Sequence, residues 1–381
     1  MVARFLHPQI FRMDLELSPK PYNPRSRFER AGLSPVQERW FNAVTAALVA
    51  LFLVGWGYAL ARTVRTGEVP PLLAGTATAN PLSSEAPPPN VYLLDAALRA
   101  FTGREFRGQS GAVNVVVQAP GDTLAAPDSL PADARLRYGA TASDTAPTPR
   151  APGIWNVMVA MKGAVRSVPN LSVVTLVPLS EKRAGRIGTY RIGSWPYESG
   201  GRPRSPQYAP PPGLVRVTPQ NMNTQVSEHF RLRDFLTKGQ QDVWPKYVAM
   251  SPRLLDKLEL TIQELKASGI PVEHVGIISG FRTPDYNAGG GNTGGRGALS
   301  RHMYGDAMDW YVDNDRNGSN DDLNKDGRVN KEDARVIGLA AERVEKKYPE
   351  LVGGIGLYNP TGAHNGFVHI DTRGYRARWG W

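Results

Sequence analysis

The chain has 381 residues, enough for two modest domains with appendages. Lys and Arg number 45 against 35 Asp and Glu, and the resulting formal charge of +10 suits an anionic neighbour such as a cell-wall polymer or a lipid surface. The basic residues are scattered without an aromatic-basic signature, so no nucleic-acid partner is expected, and the absence of cysteine excludes disulfides and thiolate metal sites.

Residues 1–39 are polar, rich in Pro and Arg, and lack a sustained hydrophobic period, which predicts a flexible cytoplasmic tail. From Trp40 to Ala61 there is no charge, and the stretch has about the length a helix needs to cross a bilayer. Trp40, Trp56 and Tyr58 suit its interfaces. Arg25, Arg27, Arg30 and Arg39 precede this span and Arg62 and Arg65 follow it, a bias that keeps the N-terminus in the cytoplasm. The expected placement is therefore a single pass through the inner (cytoplasmic) membrane, with the bulk of the chain periplasmic or otherwise extracytoplasmic. Residues 62–90, with Val69-Pro70-Pro71 and Ala86-Pro87-Pro88-Pro89, have the composition of an extended tether.

Between 91 and 215, β-branched runs of strand length alternate with turn-forming clusters: 112–117, 154–160 and 171–177. They predict a small β-rich domain. Residues 119–152, dense in Pro, Asp, Ala and Thr, read as a disordered insertion within it. Beyond Pro210-Pro211-Pro212 the pattern changes. Leu254, Leu255, Leu258, Ile262 and Leu265 recur at helical spacing until Gly269, and 275–278 reads as a buried strand followed by the turn Ser279-Gly280-Phe281-Arg282-Thr283-Pro284. The predicted class for 216–381 is α+β, an antiparallel sheet with flanking helices.

A glycine-rich stretch, 289–295, leads into Ser300-Arg301-His302-Met303-Tyr304-Gly305-Asp306-Ala307-Met308-Asp309-Trp310. Together with His369, the residues His302 and Asp309 supply two imidazoles and one carboxylate, a set that suits zinc and leaves one position open for water. A second metal signal lies between these ligands. Asp322, Asn324, Asp326, Asn330 and Asp333 occupy loop positions 1, 3, 5, 9 and 12 of an EF-hand-type calcium loop, with Gly327 at 6 and the backbone carbonyl of Arg328 at 7. Ala334, Ile337, Ala340, Ala341 and Val344 continue it as a helix. The stretch 313–318 begins a similar pattern, but its twelfth position is Asn324, and no second full site is expected. Calcium here would fix the segment joining Asp309 to His369.

Ser-Gly-Phe-Arg at 279–282, Ser-x-His-x-x-Gly-x-Ala-x-Asp-Trp at 300–310 and Phe-Val-His-Ile-Asp-x-Arg-Gly at 367–374 with Arg378-Trp379 resemble the zinc D-alanyl-D-alanine carboxypeptidase and murein endopeptidase family. That family shares its zinc fold with hedgehog signalling domains, and the resemblance covers roughly 216–381. It implies that His302, Asp309 and His369 hold zinc, that Arg282 steadies a substrate carbonyl or carboxylate, and that the substrates are peptidoglycan stem peptides or cross-bridges. Ser300 and Asp306 are candidate partners for orienting the ligands.

Many members of that family carry Glu three residues before the last ligand, where this chain has Gly366. Two replacements for the general base are near: Asp371, on the same strand face as His369, and His364, on the preceding loop. The competing reading is a membrane-anchored murein-binding or scaffold protein whose metal centre only stabilises the fold.

Overall fold

The computed structural model describes residues 36–37, 39–50, 54, 114–118, 122, 130–141, 144–149, 151–203, 205–290 and 296–381. The chain divides into two units, 1–84 and 85–381. In the first, 39–50 are helical and exposed. The rest of the span expected over Trp40–Ala61, apart from Val54, lies outside the described residues, as do the tail and the tether. Among the described residues no helix is long and apolar enough to cross a membrane.

In the second unit, alternating side chains build a five-stranded sheet from β1 (Asn114–Gln118), β2 (Arg135–Thr141), β3 (Asp144–Ala146), β4 (Gly153–Met161) and β5 (Ala164–Thr175). The spatial order is β1-β5-β4-β2-β3, with β1 parallel to β5 and the other pairs antiparallel. Val116, Tyr138, Val157, Val159 and Val173 form a small core, whereas Val115 and Val174, one residue away, join the main core. The disordered insertion expected over 119–152 is corrected here, because β2 and β3 fall within it. Leu136 and Tyr138 supply the alternation, but their arginine neighbours and the surrounding Pro and Asp dilute the apolar signal.

The boundary drawn at 215 also shifts. β6 (Val177–Pro178), β9 (Gly213–Val217) and β10 (Lys246–Val248) form a three-stranded sheet in the order β10-β9-β6, and β7 (Arg186–Ile187) pairs with β8 (Tyr190–Arg191). Ile187, Tyr190, Ile192, Trp195, Tyr208 and Leu214 are buried in the same core as the C-terminal helices and sheet. Residues from 176 onward therefore belong physically to the C-terminal body.

Helix α1 (Pro252–Ala267) buries Leu254, Leu255, Leu258, Ile262 and Leu265, each burial stabilising by roughly 1.5–3 kcal/mol relative to exposure. Pro252 presets its first turn. The short α2 (Pro284–Gly289) is capped by Thr283, whose hydroxyl accepts from the Tyr286 N–H at 3.2 Å. Helix α3 (Lys331–Lys347) packs beside α1, and Glu264 on α1 accepts from Arg343 at 2.7 Å and Lys347 at 2.6 Å.

The sheet that carries the site comprises β11 (Val275–Ser279), β12 (Ala307–Val312), β13 (Gly354–Tyr358), β14 (Phe367–Asp371) and β15 (Ala377–Trp379). Their order is β11-β12-β14-β13-β15, antiparallel except for β13 with β15. Every residue of β12 is buried, with Met308, Trp310 and Val312 on the core face and Asp309 on the other. Trp310 meets Phe230 edge-on at 6.4 Å, which seats the strand bearing Asp309.

Candidate metal centre

Register brings two of the three candidate ligands together. Asp309 on β12 lies directly opposite His369 on β14, so both side chains leave the same face of the sheet. His302 arrives from a 3-10 turn, Arg301–Tyr304, that runs into β12. Gly305 ends this turn at φ +71, and any Cβ there would stand 2.3 Å from the Ala249 carbonyl carbon, so glycine is required on both counts. Trp195, distant in sequence, donates its indole N–H to the Met303 carbonyl at 2.7 Å and holds the turn from outside.

The three side chains converge. His369 Nδ1 is 2.7 Å from Asp309 Oδ1 and 3.2 Å from His302 Nε2, which in turn lies 3.2 Å from Asp309 Oδ2. Each imidazole has its other nitrogen engaged: His302 Nδ1 is 2.6 Å from the Gly280 carbonyl, and His369 Nε2 is 2.9 Å from Asp371 Oδ2. Both outer partners are acceptors, so the outer nitrogens carry protons, and with a cation in place His302 Nε2 and His369 Nδ1 would turn lone pairs inward. An inward-facing set of two imidazole lone pairs and a carboxylate fits a divalent cation, zinc above all.

Charge in the cluster is unevenly held. Burial pulls the His302 imidazole below its ordinary range, although Asp309 opposes this. Burial also pulls on His369, but hydrogen bonds to Asp309 and Asp371 outweigh it and raise its pKa to about 8. Asp309 and Asp371 are both penalised by burial, yet the histidines, and for Asp371 also Arg373, hold their carboxyls well below the usual range.

The other residues expected at the site separate by what they touch. Arg282 donates Nη2 to Asp309 Oδ2 at 2.7 Å and Nε to Ser279 Oγ at 2.8 Å. Asp371 is fully buried on the side of His369 away from the cluster. It accepts from the Gly354 N–H at 2.7 Å, the Arg373 N–H at 3.0 Å and the Arg373 guanidinium. Such a carboxylate orients an imidazole and has no path to a substrate, which corrects the expectation of Asp371 as base. His364 lines the same cavity as the three ligands, and its Nδ1 lies 2.9 Å from the Asn365 carbonyl, leaving Nε2 as the acceptor. Asp306 is bidentate to Arg301, at 3.0 and 2.5 Å, and makes no side-chain bond to a ligand. Ser300 lines the cavity, and among the described residues its hydroxyl bonds to no ligand.

That cavity has a volume of about 770 Å³. Sequence reasoning passed over several of its walls. Trp379 lies 5.1 Å from the His369 ring and over Gly356, where a Cβ would stand 2.1 Å from the indole. Tyr358 receives the Trp379 indole N–H at 3.0 Å, and burial first, then the nearby Asp309 charge, raises its pKa, so it remains a donor. Tyr208, from the segment first assigned to the β-rich domain, meets Tyr375 across the cavity mouth at 3.0 Å. Only the parallel pairing of β15 with β13 places Trp379 there, and no local sequence signal encodes it.

Asp322 Oδ2 accepts from the Gly327 N–H at 2.8 Å, Asn324 Oδ1 from Asp326 N–H at 3.0 Å, and Asp326 Oδ1 from Arg328 N–H at 2.9 Å, a wound loop with Gly327 at φ +79. Asp333 caps α3 by taking the Asn330 N–H at 2.7 Å with one oxygen, and with the other it takes the Leu323 N–H at 2.9 Å at the start of the loop. Asp322, Asp326 and Asp333 do not form a tight carboxylate group. Among the described residues, the acidic side chains that gather within 4.8 Å here are Asp313, Asp315 and Asp321, in the stretch where no second site was expected.

No protein-family model matches this chain, and neither a curated protein nor a solved structure matches it.

Proposed function

We propose that the chain is a zinc-dependent peptidase that hydrolyses peptide bonds in peptidoglycan, as a carboxypeptidase or endopeptidase of stems or cross-bridges. Its N-terminal helix would anchor it in the cytoplasmic membrane with the hydrolase outside. One observation carries this reading: His302, Asp309 and His369 meet in a wall of a 770 Å³ cavity, with the outer nitrogen of each imidazole held by an acceptor. Incubating the purified chain and zinc with cross-linked muropeptides, then separating products by chromatography and mass spectrometry, should reveal a new cleavage product. An unchanged mixture defeats the enzyme reading.

His302, Asp309 and His369 would hold the zinc, which would supply a Lewis acid for the scissile carbonyl and bring the pKa of attacking water towards neutrality. Arg282, whose Nη1 has no partner among the described residues, faces the cavity and stabilises negative charge on the carbonyl oxygen. His364 Nε2 accepts the proton of the attacking water and returns it to the leaving amine. Asp371 holds the His369 tautomer, and Arg373 holds Asp371. Replacing His364 by alanine should lower kcat by about 10²–10⁴ while zinc content stays at one equivalent. Asp371→Asn should instead weaken zinc binding by about 10- to 100-fold, read by chelator competition. If the two variants exchange these phenotypes, the assigned roles are reversed.

The scaffold reading keeps one observation in its favour: among the described residues, no carboxylate except Asp309 lines the cavity. The muropeptide digest separates the two. We also assign a structural calcium ion to the acidic segment 313–333. A calcium-selective chelator should lower the melting temperature of the wild type by a few degrees. Asp326→Ala abolishes that shift if 322–333 holds the ion, Asp315→Asn if 313–321 does, and an unshifted wild type removes calcium from the account.

A further inference from the structure

Backbone register sets a row of residues across the sheet that carries the centre. Ser279, Asp309, His369, Gly356 and Trp379 are successive partners in that row. Gly356 has no side chain to offer, and the Trp379 indole takes the space above it: a Cβ on Gly356 would stand 2.1 Å from the ring, whose centre lies 5.1 Å from that of His369. Tyr358, two residues on from Gly356, leaves the same face of β13 about 7 Å along the strand. Of the tyrosines that line the cavity among the described residues, it alone belongs to this sheet.

Two contacts fix its hydroxyl. The ring stacks on Phe367 with centres 4.4 Å apart, and Oη accepts the Trp379 indole N–H at 3.0 Å, which draws it back towards the row of Asp309 and His369. An indole N–H can only donate, so that bond leaves the phenol proton unused, and among the described residues nothing accepts it. Burial raises the pKa of the group, so the proton stays in place. Tyr358 is thus a rigid, uncharged donor in the cavity wall. Arg282, the cation at the same centre, already spends Nη2 on Asp309 and Nε on Ser279.

We propose that Tyr358 is a catalytic residue that donates a hydrogen bond to the oxygen of the scissile carbonyl as negative charge develops there. This rests on the peptidase reading and adds a second protein donor to Arg282. In attack, the water oxygen bonds to the carbonyl carbon, the carbonyl π pair moves onto its oxygen, and a water proton goes to His364 Nε2. In collapse, that pair returns, the C–N bond breaks and the proton passes from His364 to the amine nitrogen. Tyr358 keeps its proton throughout, and its hydrogen bond is strongest when the charge is.

The test uses the zinc-loaded full chain, as wild type and as Tyr358→Phe, which keeps the stack on Phe367. Cleavage of cross-linked muropeptides is followed by chromatography. Calorimetry follows binding of a D-alanyl-D-alanine phosphinate, whose tetrahedral P–O⁻ carries the charge that a carbonyl acquires only in attack, and of the planar dipeptide itself. The variant should lose about a hundredfold in kcat, the lower end for one oxyanion donor, with KM unchanged and zinc at one equivalent. Phosphinate affinity should fall in parallel while planar dipeptide affinity holds. Trp379→Phe, which keeps a ring beside His369 but takes the N–H from Tyr358, should cost less, and nothing further in the Tyr358→Phe background. A Tyr358→Phe chain that cleaves within about twofold of wild type overturns the proposal, as does equal loss of phosphinate and planar dipeptide, the mark of a structural role. A wild type that cleaves nothing but binds the phosphinate through Tyr358 removes the peptidase and keeps the oxyanion donor. One that neither cleaves nor binds it removes both.

Discussion

Replacing either His302 or His369 by alanine should remove zinc and peptide cleavage together, with kcat/KM falling by more than about a thousandfold. The magnitude follows from comparing positions. Loss of an outer partner of a metal-binding histidine weakens the metal by about 10- to 100-fold, and loss of the ligand itself must exceed that. Both side chains are buried, His302 at 2 % and His369 at 6 % exposure, so water replaces neither without disturbing Gly280 or Asp371 behind them. The wild type should also show a pH signature. Without metal, the proton between His369 and Asp309 is held up to about pH 8, and a cation must displace it. Zinc affinity should then be flat above that pH and fall about tenfold per unit below it. A His302→Ala chain that keeps one zinc and cleaves muropeptides at the wild-type rate would end the metallopeptidase reading.

The three converging side chains were legible as candidates because local rules encode them. Asp309 belongs to a strand whose alternation can be read from Met308, Trp310 and Val312, and His369 to another with Val368 and Ile370 on the opposite face. What a single sequence does not contain is that these strands pair with Asp309 opposite His369, because register is a property of the assembled sheet. The same limit hid the contacts of Trp379, which reaches His369 through β13, and of Trp195, which braces the His302 turn across 108 positions. The role of Asp371 was half visible. Its spacing put it on the face of His369, but only the geometry reveals which imidazole nitrogen it meets. Strands β2 and β3 were missed for another reason. β2 is placed by pairing with β4, and β3 by pairing with β2, and a sequence of Arg-Leu-Arg-Tyr surrounded by Pro and Asp carries too little apolar content to signal a strand alone.

Lys257→Met should destabilise the fold by about 3 kcal/mol, the lower end of what removing one partner from a buried ion pair costs. Lys257 lies on α1 with no solvent exposure, donating to Glu345 Oε1 at 2.6 Å and to the Asp371 carbonyl at 2.7 Å. Burial lowers its pKa, and Glu345 opposes the shift, so the ammonium persists only because the carboxylate faces it. The lower end of the range applies because Glu345 would not be stranded: it retains Arg378 and the Gly353 N–H. For a body of this size the loss corresponds to roughly 6–12 °C in melting temperature, measurable by calorimetry. Adding Glu345→Gln should recover part of it, since the amide still serves Gly353 without needing a cation. A variant melting within about 1 °C of the wild type would mean that desolvation of the pair cancels its attraction. Position matters as well as energy. Lys257 holds the backbone of the residue whose carboxylate orients His369, so zinc affinity should weaken in Lys257→Met even at temperatures where the chain is fully folded. A destabilised variant with unchanged zinc affinity would show that the Asp371 carboxylate is positioned by Arg373 and Gly354 alone.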